Sequence, residues 1–243
     1  MTSEGLNQEK IWDHFQNEGI DSFSQSRGRL EFLVRRLSPG TRVLNIGVGN
    51  GLFESLALSR GLEVWSLDPS ERAIERLRQS LALESRAQVG YSQEMPFPDA
   101  HFDAVVMSEV LEHLDDEVLT KTLQQVRRVL KNGAVLMGTV PAREILAQSY
   151  VVCPHCSQGF HRWGHQRSFD VPSLSRTLGT VFRVHTAKEY FFIDWDSVGV
   201  WRKLQGLVKK FLSWRGIGTY GASRNIFFSV EKTATTGLER QRS

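Results

Sequence analysis

The stretch TRVLNIGVGNGLFESLALSRGLEVWSLD, residues 41–68, decides the fold of this chain. It begins with an apolar run typical of a buried strand and continues through glycines at G-x-G-x-G spacing, the first of which is Gly47. A helical pattern follows, and a second apolar run ends on Asp68. Glycines let a backbone approach a ligand closely, and a carboxylate at the tip of the next strand can accept two ribose hydroxyl hydrogen bonds. The stretch is therefore typical of a nucleoside-binding unit.

The glycine spacing does not fit a dinucleotide fingerprint, which requires G-x-G-x-x-G, because Leu52 stands where the last glycine would be. The turn and Asp68 instead resemble class I S-adenosylmethionine-dependent methyltransferases. The resemblance continues, in the family's order and at its usual intervals, through MPFPD at 95–99, FDAVV at 102–106 and EVLEHL at 109–114. It covers about residues 41–140 strongly and the remainder loosely.

Strand and helix patterns alternate along the chain, which predicts an α/β fold with a parallel, doubly wound sheet. The resemblance implies a seven-stranded, mostly parallel, Rossmann-like sheet. We predict one methyltransferase domain over residues 1–232 and a disordered tail over 233–243. Within the domain we expect a helical cap over 1–40, a zinc loop over 142–168 after strand five, and a helical lid over 194–222.

The pattern also predicts where single elements begin and end. Ser70 and Asp115 are expected to cap the starts of two helices, and Asn132 and Gly133 to end the second of them. The other predicted elements are helices over 27–37 and 170–178 and strands over 87–91, 102–108, 134–140, 181–192 and 225–231.

The resemblance implies that the glycine turn passes under the methionine and ribose portions of S-adenosylmethionine, with Asp68 on the ribose. Two positions depart from the family's pattern. Asn45 stands where an acid is usual, and Tyr91 falls where an aspartate is frequent, which moves the expected adenine contacts to Ser92 and Gln93. The implied cofactor-binding residues are Asn45, Gly47, Gly49, Gly51, Asp68, Pro69, Ser92, Gln93 and Ser108.

Methyl transfer needs mainly alignment of the reacting atoms and removal of a proton from the acceptor, so we expect a base near the ends of strands four and five. Glu109, Glu112 and His113 are candidates. Their E-x-x-E-H pattern resembles a divalent-metal site of ubiquinone-type O-methyltransferases and small-RNA 2′-O-methyltransferases, which polarises the acceptor oxygen. The alternative, which we favour from the sequence, is that Glu112 and His113 only brace the start of a helix.

A second pattern, CPHCSQGFHRWGH at 153–165, has the spacing C-x2-C-x4-H-x3-H. Two thiolates and two imidazoles at this spacing suit tetrahedral zinc, so we predict a structural zinc site formed by Cys153, Cys156, His161 and His165. The alternatives are an unliganded loop and a redox pair. A thioredoxin-like pair normally opens a helix after a strand, which this segment does not resemble.

His165 has a competing assignment. The stretch His165-Gln166-Arg167-Ser168-Phe169 resembles an H-x-R-x-F segment that borders the substrate in many class I methyltransferases. A zinc-bound imidazole cannot also act as a free base. If His165 binds metal, the acceptor must be handled by His155, His161, Arg167 or Glu109. The sequence leaves both assignments open.

Residues 194–222 place Trp201, Leu204, Leu207, Val208, Phe211 and Leu212 at helical spacing, with basic residues between them. We interpret this as a lid packed on the domain. The alternatives are weak contact of residues 200–215 with an anionic membrane surface, and binding of a lipid-linked or phosphorylated acceptor.

Net charge and the distribution of apolar residues limit the classes of function that we expect. The net charge of +3 and the pI near 9.0 do not indicate a nucleic-acid partner. The polar N-terminus carries no secretory signal and no apolar run is long enough to span a bilayer, so we expect a cytoplasmic protein. The sequence does not indicate an oligomeric state.

The sequence thus favours an S-adenosylmethionine-dependent methyltransferase acting on a hydroxyl of a small molecule or glycan. Three rivals remain. They are an RNA methyltransferase, an N-methyltransferase and a non-catalytic partner subunit. The N-P-P-Y-type tetrapeptide of base-amino methyltransferases is missing after strand four, where the chain reads SEVL at 108–111.

Overall fold

The computed structural model describes residues 26–192 and 224–233, together with Ile11. One sheet dominates the described part. Its strands, in chain order, are β1 (Arg42–Ile46), β2 (Glu63–Asp68), β3 (Ala87–Val89), β4 (Phe102–Ser108), β5 (Leu130–Pro141), β8 (Arg183–Tyr190) and β9 (Asn225–Glu231), and a separate hairpin contains β6 (Tyr150–Val152) and β7 (Gly159–His161). The helices are α1 (Arg27–Val34), α2 (Leu52–Ser59), α3 (Glu71–Leu81), α4 (Asp116–Val129) and α5 (Val171–Gly179).

The sheet has seven strands in the order β3-β2-β1-β4-β5-β9-β8. The first five strands of that order are parallel, and β9 is antiparallel to both of its neighbours. This confirms the predicted seven-stranded, mostly parallel, Rossmann-like sheet. The order of the strands reverses at β1, and in open α/β sheets ligands bind at such a point, beyond the carboxyl ends of the strands.

The sheet is buried on both faces, as the nearly continuous apolar character of β4 predicts. Val105 packs in the core on one face and Val106 in the core on the other, and both are fully buried. Helices α1, α2 and α3 cover the Val106 side, and α4 and α5 cover the Val105 side. The two cores hold the carboxyl ends of β1, β2 and β4 in fixed positions.

The predicted helix starts are confirmed. The Ser70 side chain accepts the N–H of Ala73, and the Asp115 side chain accepts the N–H of Val118. Asp170 forms a capping box at the start of α5. Each such cap stabilises its helix by about 1 kcal/mol, because it satisfies a backbone donor that has no partner within the helix.

The predicted break at Asn132 and Gly133 is wrong. Helix α4 ends at Val129 and β5 begins at once with Leu130, which pairs with Phe102. The pairing then shifts to Ala104 with Val135, so the intervening residues form an irregularity in the strand. Gly133 lies in this irregularity with φ +75°, a left-handed conformation suited to glycine.

Three other elements are shorter than predicted. Helix α1 ends at Val34, β3 ends at Val89 and β8 spans Arg183–Tyr190, whereas β9 matches its predicted range. The predicted cap segment before residue 26, the lid over 194–222 and most of the tail over 233–243 lie outside the described residues. Within the part that is described, no helix is both long and apolar enough to cross a membrane.

The segment 142–168 contains the β6–β7 hairpin and is tied to the sheet at both ends. Its first residues pair with Phe169, since Ala142 forms a bridge to it and Arg143 donates its N–H to the Phe169 carbonyl at 2.7 Å. Near its end, Gln166 donates its N–H to the Glu112 carbonyl at 2.8 Å. These bonds bring the segment to the edge of the sheet where the glycine turn lies.

Candidate functional site

A cavity of about 870 Å³ opens at the carboxyl ends of β1, β2 and β4. Its volume is in the usual range for a small-molecule site. Of the residues predicted to bind cofactor, those lining the cavity are Asn45, Gly47, Gly49, Asp68, Pro69, Ser92, Gln93 and Ser108. Gly51 does not line it. This residue precedes α2 with φ +83° and donates its N–H to the Val48 carbonyl at 2.9 Å, so it shapes the turn instead.

The glycine turn brings bare backbone to the cavity wall. Gly47 has φ +85°, and a Cβ placed there would lie 2.8 Å from Val110 Cγ2. Gly49 has φ +54°. A side chain at Gly47 would therefore meet both backbone strain and a steric clash, which explains why this position requires glycine.

The Asp68 carboxylate is buried and anchored by backbone donors. Oδ2 accepts the N–H of Val48 at 2.9 Å, and Oδ1 accepts the N–H of Ser70 at 2.9 Å. Each carboxylate oxygen has about two acceptor sites, so these bonds leave capacity for a diol such as a ribose edge. The backbone bonds also fix the carboxylate in place, so Asp68 both shapes the turn and faces the ligand cavity.

Glu54 is a buried residue that the sequence analysis missed. Its Oε1 accepts hydrogen bonds from Asn45 Nδ2 at 2.7 Å and from Ser66 Oγ at 2.9 Å, while Oε2 has no hydrogen-bond partner among the described residues. Burial raises the Glu54 pKa to about 7, and the nearby charge of Asp68 adds to this. One signal was available, because Glu54 is the only charged residue of the mostly apolar helix LFESLALS.

Glu109 lies at the cavity wall with a left-handed backbone, φ +58°. Its Oε1 accepts from Thr139 Oγ1 at 2.8 Å, and its Oε2 accepts from Asn225 Nδ2 at 2.9 Å. Arg29 Nε lies 4.0 Å from Oε1. Because both oxygens are engaged, the geometry favours a role for Glu109 in holding the ends of β5 and β9 together over a role as base.

Glu112 differs from Glu109 in having no such partners. Glu112 is 1% exposed, and neither of its carboxylate oxygens has a hydrogen-bond partner among the described residues. Burial, and then the charge of Glu109, raises its pKa well above the usual range. The favoured interpretation that this side chain braces a helix start is not supported, because it makes no such bond in the described part of the chain.

His113 and His165 lie beside Glu112 and also line the cavity. Their rings meet edge to face with centroids 4.7 Å apart. Burial, and then the proximity of His165, lowers the His113 pKa to about 3, so His113 is neutral. A ligand atom from each of Glu112, His113 and His165 lies within 4.8 Å of those from the other two. The structure thus joins the E-x-x-E-H pattern to His165 in one cluster.

The four predicted zinc ligands are not brought together. In the part of the chain that the structure describes, neither Cys153 nor Cys156 belongs to any group of three potential metal ligands. The β6–β7 pairing provides the reason, since Tyr150 pairs with His161 at one end of the hairpin and the cysteines follow Val152 at the other. Two residues of strand separate these ends by about 7 Å.

The cysteines form their own turn. Backbone N–H groups of Cys156 and His155 point at the Cys153 sulfur and lower its pKa. His161 lies instead with Glu144 and His165, which form a second group of possible ligands. The competing assignment of His165 is thereby decided in favour of the cavity. Of the other candidates, His155 does not line it, and Arg167 is held by the Leu114 carbonyl and Asp116.

Comparison with known proteins relates part of this chain to a protein family. Residues 44–138 match the methyltransferase domain family. Over this segment, 95 residues of the 243, the chain is similar to methyltransferase domains. The segment contains the glycine turn, Asp68 and the E-x-x-E-H pattern of the candidate site, whereas His165 and Glu144 come from the segment that follows the domain match.

Curated relatives match part of the chain. The chain is 31% identical over 148 residues to the ubiquinone biosynthesis O-methyltransferase of Hahella chejuensis, a match over 56% of this chain and 60% of that protein. It is 32% identical over 95 residues to an uncharacterized methyltransferase of Mycobacterium tuberculosis, over 39% of this chain and 37% of that protein. The chain therefore spans less than two thirds of these relatives.

Solved structures of other proteins share this fold. A Haloferax volcanii methyltransferase, in a complex with the Trm112 methyltransferase activator, has a TM-score of 0.66 and 17% identity, with coverage of 92% of this chain and 98% of that one. The [4+2]-cyclase SpnF has a TM-score of 0.59 and 18% identity, with coverage of 90% and 86%. At these identities the likeness concerns the fold alone, so the chemistry must be argued from the site.

Proposed function

We propose that this protein transfers a methyl group from S-adenosylmethionine to a hydroxyl oxygen of a small molecule or glycan. The observation that carries the proposal is the sharing of one cavity by two kinds of group. The glycine turn and Asp68 occupy one part of its wall, and Glu112, His113 and His165 occupy another. S-adenosylmethionine held by the first group and an acceptor held by the second group would lie side by side.

S-adenosylmethionine, when bound, supplies an electrophilic methyl group, so the protein must mainly align the acceptor and manage its proton. Asp68 is placed to hold the ribose, because its carboxylate is fixed by two backbone donors. His165 lines the acceptor side of the cavity beside Glu112 and His113, where it would help to hold a cation that polarises the acceptor oxygen. The His165 Nδ1 donates to the Glu144 carboxylate, which leaves the lone pair on Nε2 and orients the ring.

The Glu112–His113–His165 cluster also fits a divalent cation. The fit rests on the buried Glu112 carboxylate, whose oxygens have no hydrogen-bond partner among the described residues, and on the two neighbouring imidazoles. A bound cation would be held by these three side chains and would supply Lewis-acid polarisation of the acceptor oxygen. A structural zinc site built from Cys153 and Cys156 with the histidines does not fit, because these residues are not grouped.

Two observations support an oxygen acceptor. The Hahella chejuensis relative is by its name a ubiquinone biosynthesis O-methyltransferase, and the chain aligns with it at 31% identity. The residues from the end of β4 onward read Ser108-Glu109-Val110-Leu111, without the N-P-P-Y-type tetrapeptide of base-amino methyltransferases. Both favour a hydroxyl over an amine.

The experiment that tests the proposal has two stages. Calorimetric titration of the purified protein with S-adenosylhomocysteine should give micromolar binding at one site per chain. A panel of phenols, catechols, sugars and matched amines is then incubated with methyl-labelled S-adenosylmethionine, and label should appear on hydroxylated acceptors. His165→Ala should keep cofactor binding but lose transfer.

Three results would contradict the proposal. Failure of a folded sample to bind S-adenosylhomocysteine would favour a non-catalytic partner protein on this scaffold. Label found on amines alone would favour an N-methyltransferase. Unchanged transfer by His165→Ala would remove this residue from the acceptor site.

A further inference from the structure

Glu144 lies between two histidines at the side of the cavity. One carboxylate oxygen accepts a hydrogen bond from His165 Nδ1, and the other lies 3.4 Å from His161 Nε2. The rings of His161 and His165 are stacked, with centroids 4.7 Å apart and an interplanar angle of 19°. Neither the E-x-x-E-H pattern nor the methyltransferase domain match, which ends at residue 138, includes Glu144 or His161.

The hydrogen bonds assign a tautomer to each ring. His165 Nδ1 faces a carboxylate and His113 Nδ1 lies 3.3 Å from the Gly164 carbonyl oxygen, so each of these nitrogens carries the proton. His161 is the opposite tautomer, because its Nδ1 accepts the backbone N–H groups of Trp163 and His165 at 3.3 and 3.1 Å. The lone pairs used for metal binding are therefore on Nε2 of His113 and His165, whereas Nε2 of His161 carries a proton.

These tautomers separate the two possible ligand groups. His161 Nε2 and His165 Nδ1 carry their protons on the side of Glu144, so a cation held by Glu144, His161 and His165 would have to displace both protons. In Glu112, His113 and His165, by contrast, each imidazole keeps its Nε2 lone pair and donates its other N–H to an oxygen. A ring nitrogen donating to a carboxylate or backbone carbonyl is the usual outer arrangement of metal-binding histidines, because it fixes the ring and raises its basicity.

We infer that Glu144 and His161 are positioning residues that orient His165 as a metal ligand, in an outer shell supplied by the segment after β5. The inference rests on the divalent cation of the proposed function. Two imidazoles and one carboxylate favour a borderline cation such as Zn²⁺ or Co²⁺ over Mg²⁺, which prefers oxygen ligands. His161 stacks on the His165 ring and accepts the backbone N–H of His165, Glu144 accepts a hydrogen bond from His165 Nδ1, and His165 would present Nε2 to the cation.

The arrangement explains why the segment 142–168 is tied to the E-x-x-E-H residues. Gln166 donates its N–H to the Glu112 carbonyl, and Arg167 Nε donates to the Leu114 carbonyl at 2.8 Å. These bonds bring the chain that carries His165 to the chain that carries Glu112 and His113. The segment thus supplies one cation ligand and both of its supporting side chains.

The first test needs no metal. Histidine side-chain ¹H–¹⁵N correlation spectra of the purified full-length protein, assigned with His113→Gln, His161→Gln and His165→Gln variants, report the protonated nitrogen of each ring. We expect Nδ1–H at His113 and His165 and Nε2–H at His161. Nδ1–H at His161, or Nε2–H at His165, overturns the inference.

The second test is Co²⁺ titration followed by the visible absorption of the bound ion. Glu144→Ala should weaken Co²⁺ binding by about 10–100-fold and change the band shape, since His165 is no longer held. Glu144→Gln, which keeps an oxygen acceptor of the same shape, should lose less. The matched control is Glu117→Ala, because Glu117 is 78% exposed and pairs only with Lys121 on the surface of α4 among the described residues.

S-adenosylhomocysteine binding, measured on each variant, separates the failure of this inference from that of the proposed function. Wild-type affinity for Co²⁺ in Glu144→Ala overturns the positioning role and leaves the cation in place. A wild-type protein that binds S-adenosylhomocysteine but no Co²⁺ overturns the inference while the methyltransferase activity stands. Loss of S-adenosylhomocysteine binding in Glu144→Ala marks a folding defect, and the decision then rests on Glu144→Gln.

Discussion

Asn45 donates a hydrogen bond from its side-chain amide to the carboxylate of Glu54, with 2.7 Å between Nδ2 and Oε1. The pair lies inside the protein, where Asn45 at the end of β1 meets the first turn of α2. The amide also lies 3.4 Å from the Gly47 carbonyl, so the pair is attached to the glycine turn. A carboxyl group therefore lies against the end of β1, although Asn45 itself carries none.

Glu54 gives the protein a stability that falls as pH rises. Its folded pKa of about 7 lies above the ordinary value, so its contribution is fully present below about pH 4.5 and is lost as pH rises through about 7. At about 1.4 kcal/mol per pKa unit, the loss is on the order of 3 kcal/mol.

Glu54→Gln should remove this pH dependence, because the amide is neutral at every pH in the range. Urea unfolding at about pH 5 and about pH 8.5 measures it for both proteins. We expect the free energy of unfolding of the wild type to fall relative to the variant over this interval. Parallel profiles would show that the Glu54 carboxyl is already ionised at low pH.

Asp68→Ala should weaken S-adenosylhomocysteine binding by about 2 kcal/mol or more, which is about 30-fold, because two ribose hydroxyls lose a charged acceptor. Thermal stability should fall as well, since the N–H groups of Val48 and Ser70 lose their partner. Asp99→Ala is the matched control, because the Asp99 side chain is 78% exposed and forms a surface pair with Arg128. Equal affinity of Asp68→Ala and the control would remove Asp68 from the ribose site.

Gly47→Ala and Gly40→Ala form a pair that separates backbone strain from cavity shape. Both glycines have positive φ, +85° and +80°, so each substitution should cost about 1 kcal/mol of stability. An added Cβ meets Val110 at 2.8 Å in Gly47→Ala and nothing within 4 Å in Gly40→Ala. Only Gly47→Ala should therefore lose S-adenosylhomocysteine affinity, by about tenfold or more. Similar affinities in calorimetry would contradict a close approach of ligand to this turn.

The double variant Cys153→Ser/Cys156→Ser should retain the metal content of the wild type, whereas His165→Ala should lose it. The reason is that His165 is grouped with Glu112 and His113, and neither cysteine is within such a group among the described residues. Elemental analysis after dialysis against Zn²⁺ measures both. Loss of zinc from the double cysteine variant would restore the ligand set predicted from the C-x2-C-x4-H-x3-H spacing.

Much of the cofactor side of the cavity could be predicted because its residues are local in the chain. The glycine turn, Asp68 and Pro69 belong to one strand–helix–strand unit, and their positions follow from the periodicity of that unit. Helix caps at Ser70 and Asp115 were equally accessible, since a cap contacts the backbone only three residues away. Sequence reasoning failed at Gly133, where a strand irregularity resembles a helix stop.

The acceptor side could not be predicted in the same way. Spacing placed His161 and His165 with the cysteines, but the β6–β7 register carries the cysteine turn away from them. Glu144 left no pattern, because its partners are 17 and 21 residues further along the chain. The spacing also does not indicate that the Glu112 side chain lacks a hydrogen-bond partner among the described residues, because this depends on how the side chain is buried.

The sequence by itself determined the α/β class and the strand–glycine turn–helix–strand unit, because both depend on residue periodicity and on contacts within that unit. The seven-stranded sheet was implied only by the resemblance to a family. Only the tertiary structure decided which side chains share the cavity. Parallel strands bring their carboxyl ends together from distant parts of the chain, and burial then removes water from whatever groups meet there. That is why Glu54 joins Asn45, and why Glu144 and His165 join Glu112 and His113, without any signal in their spacing.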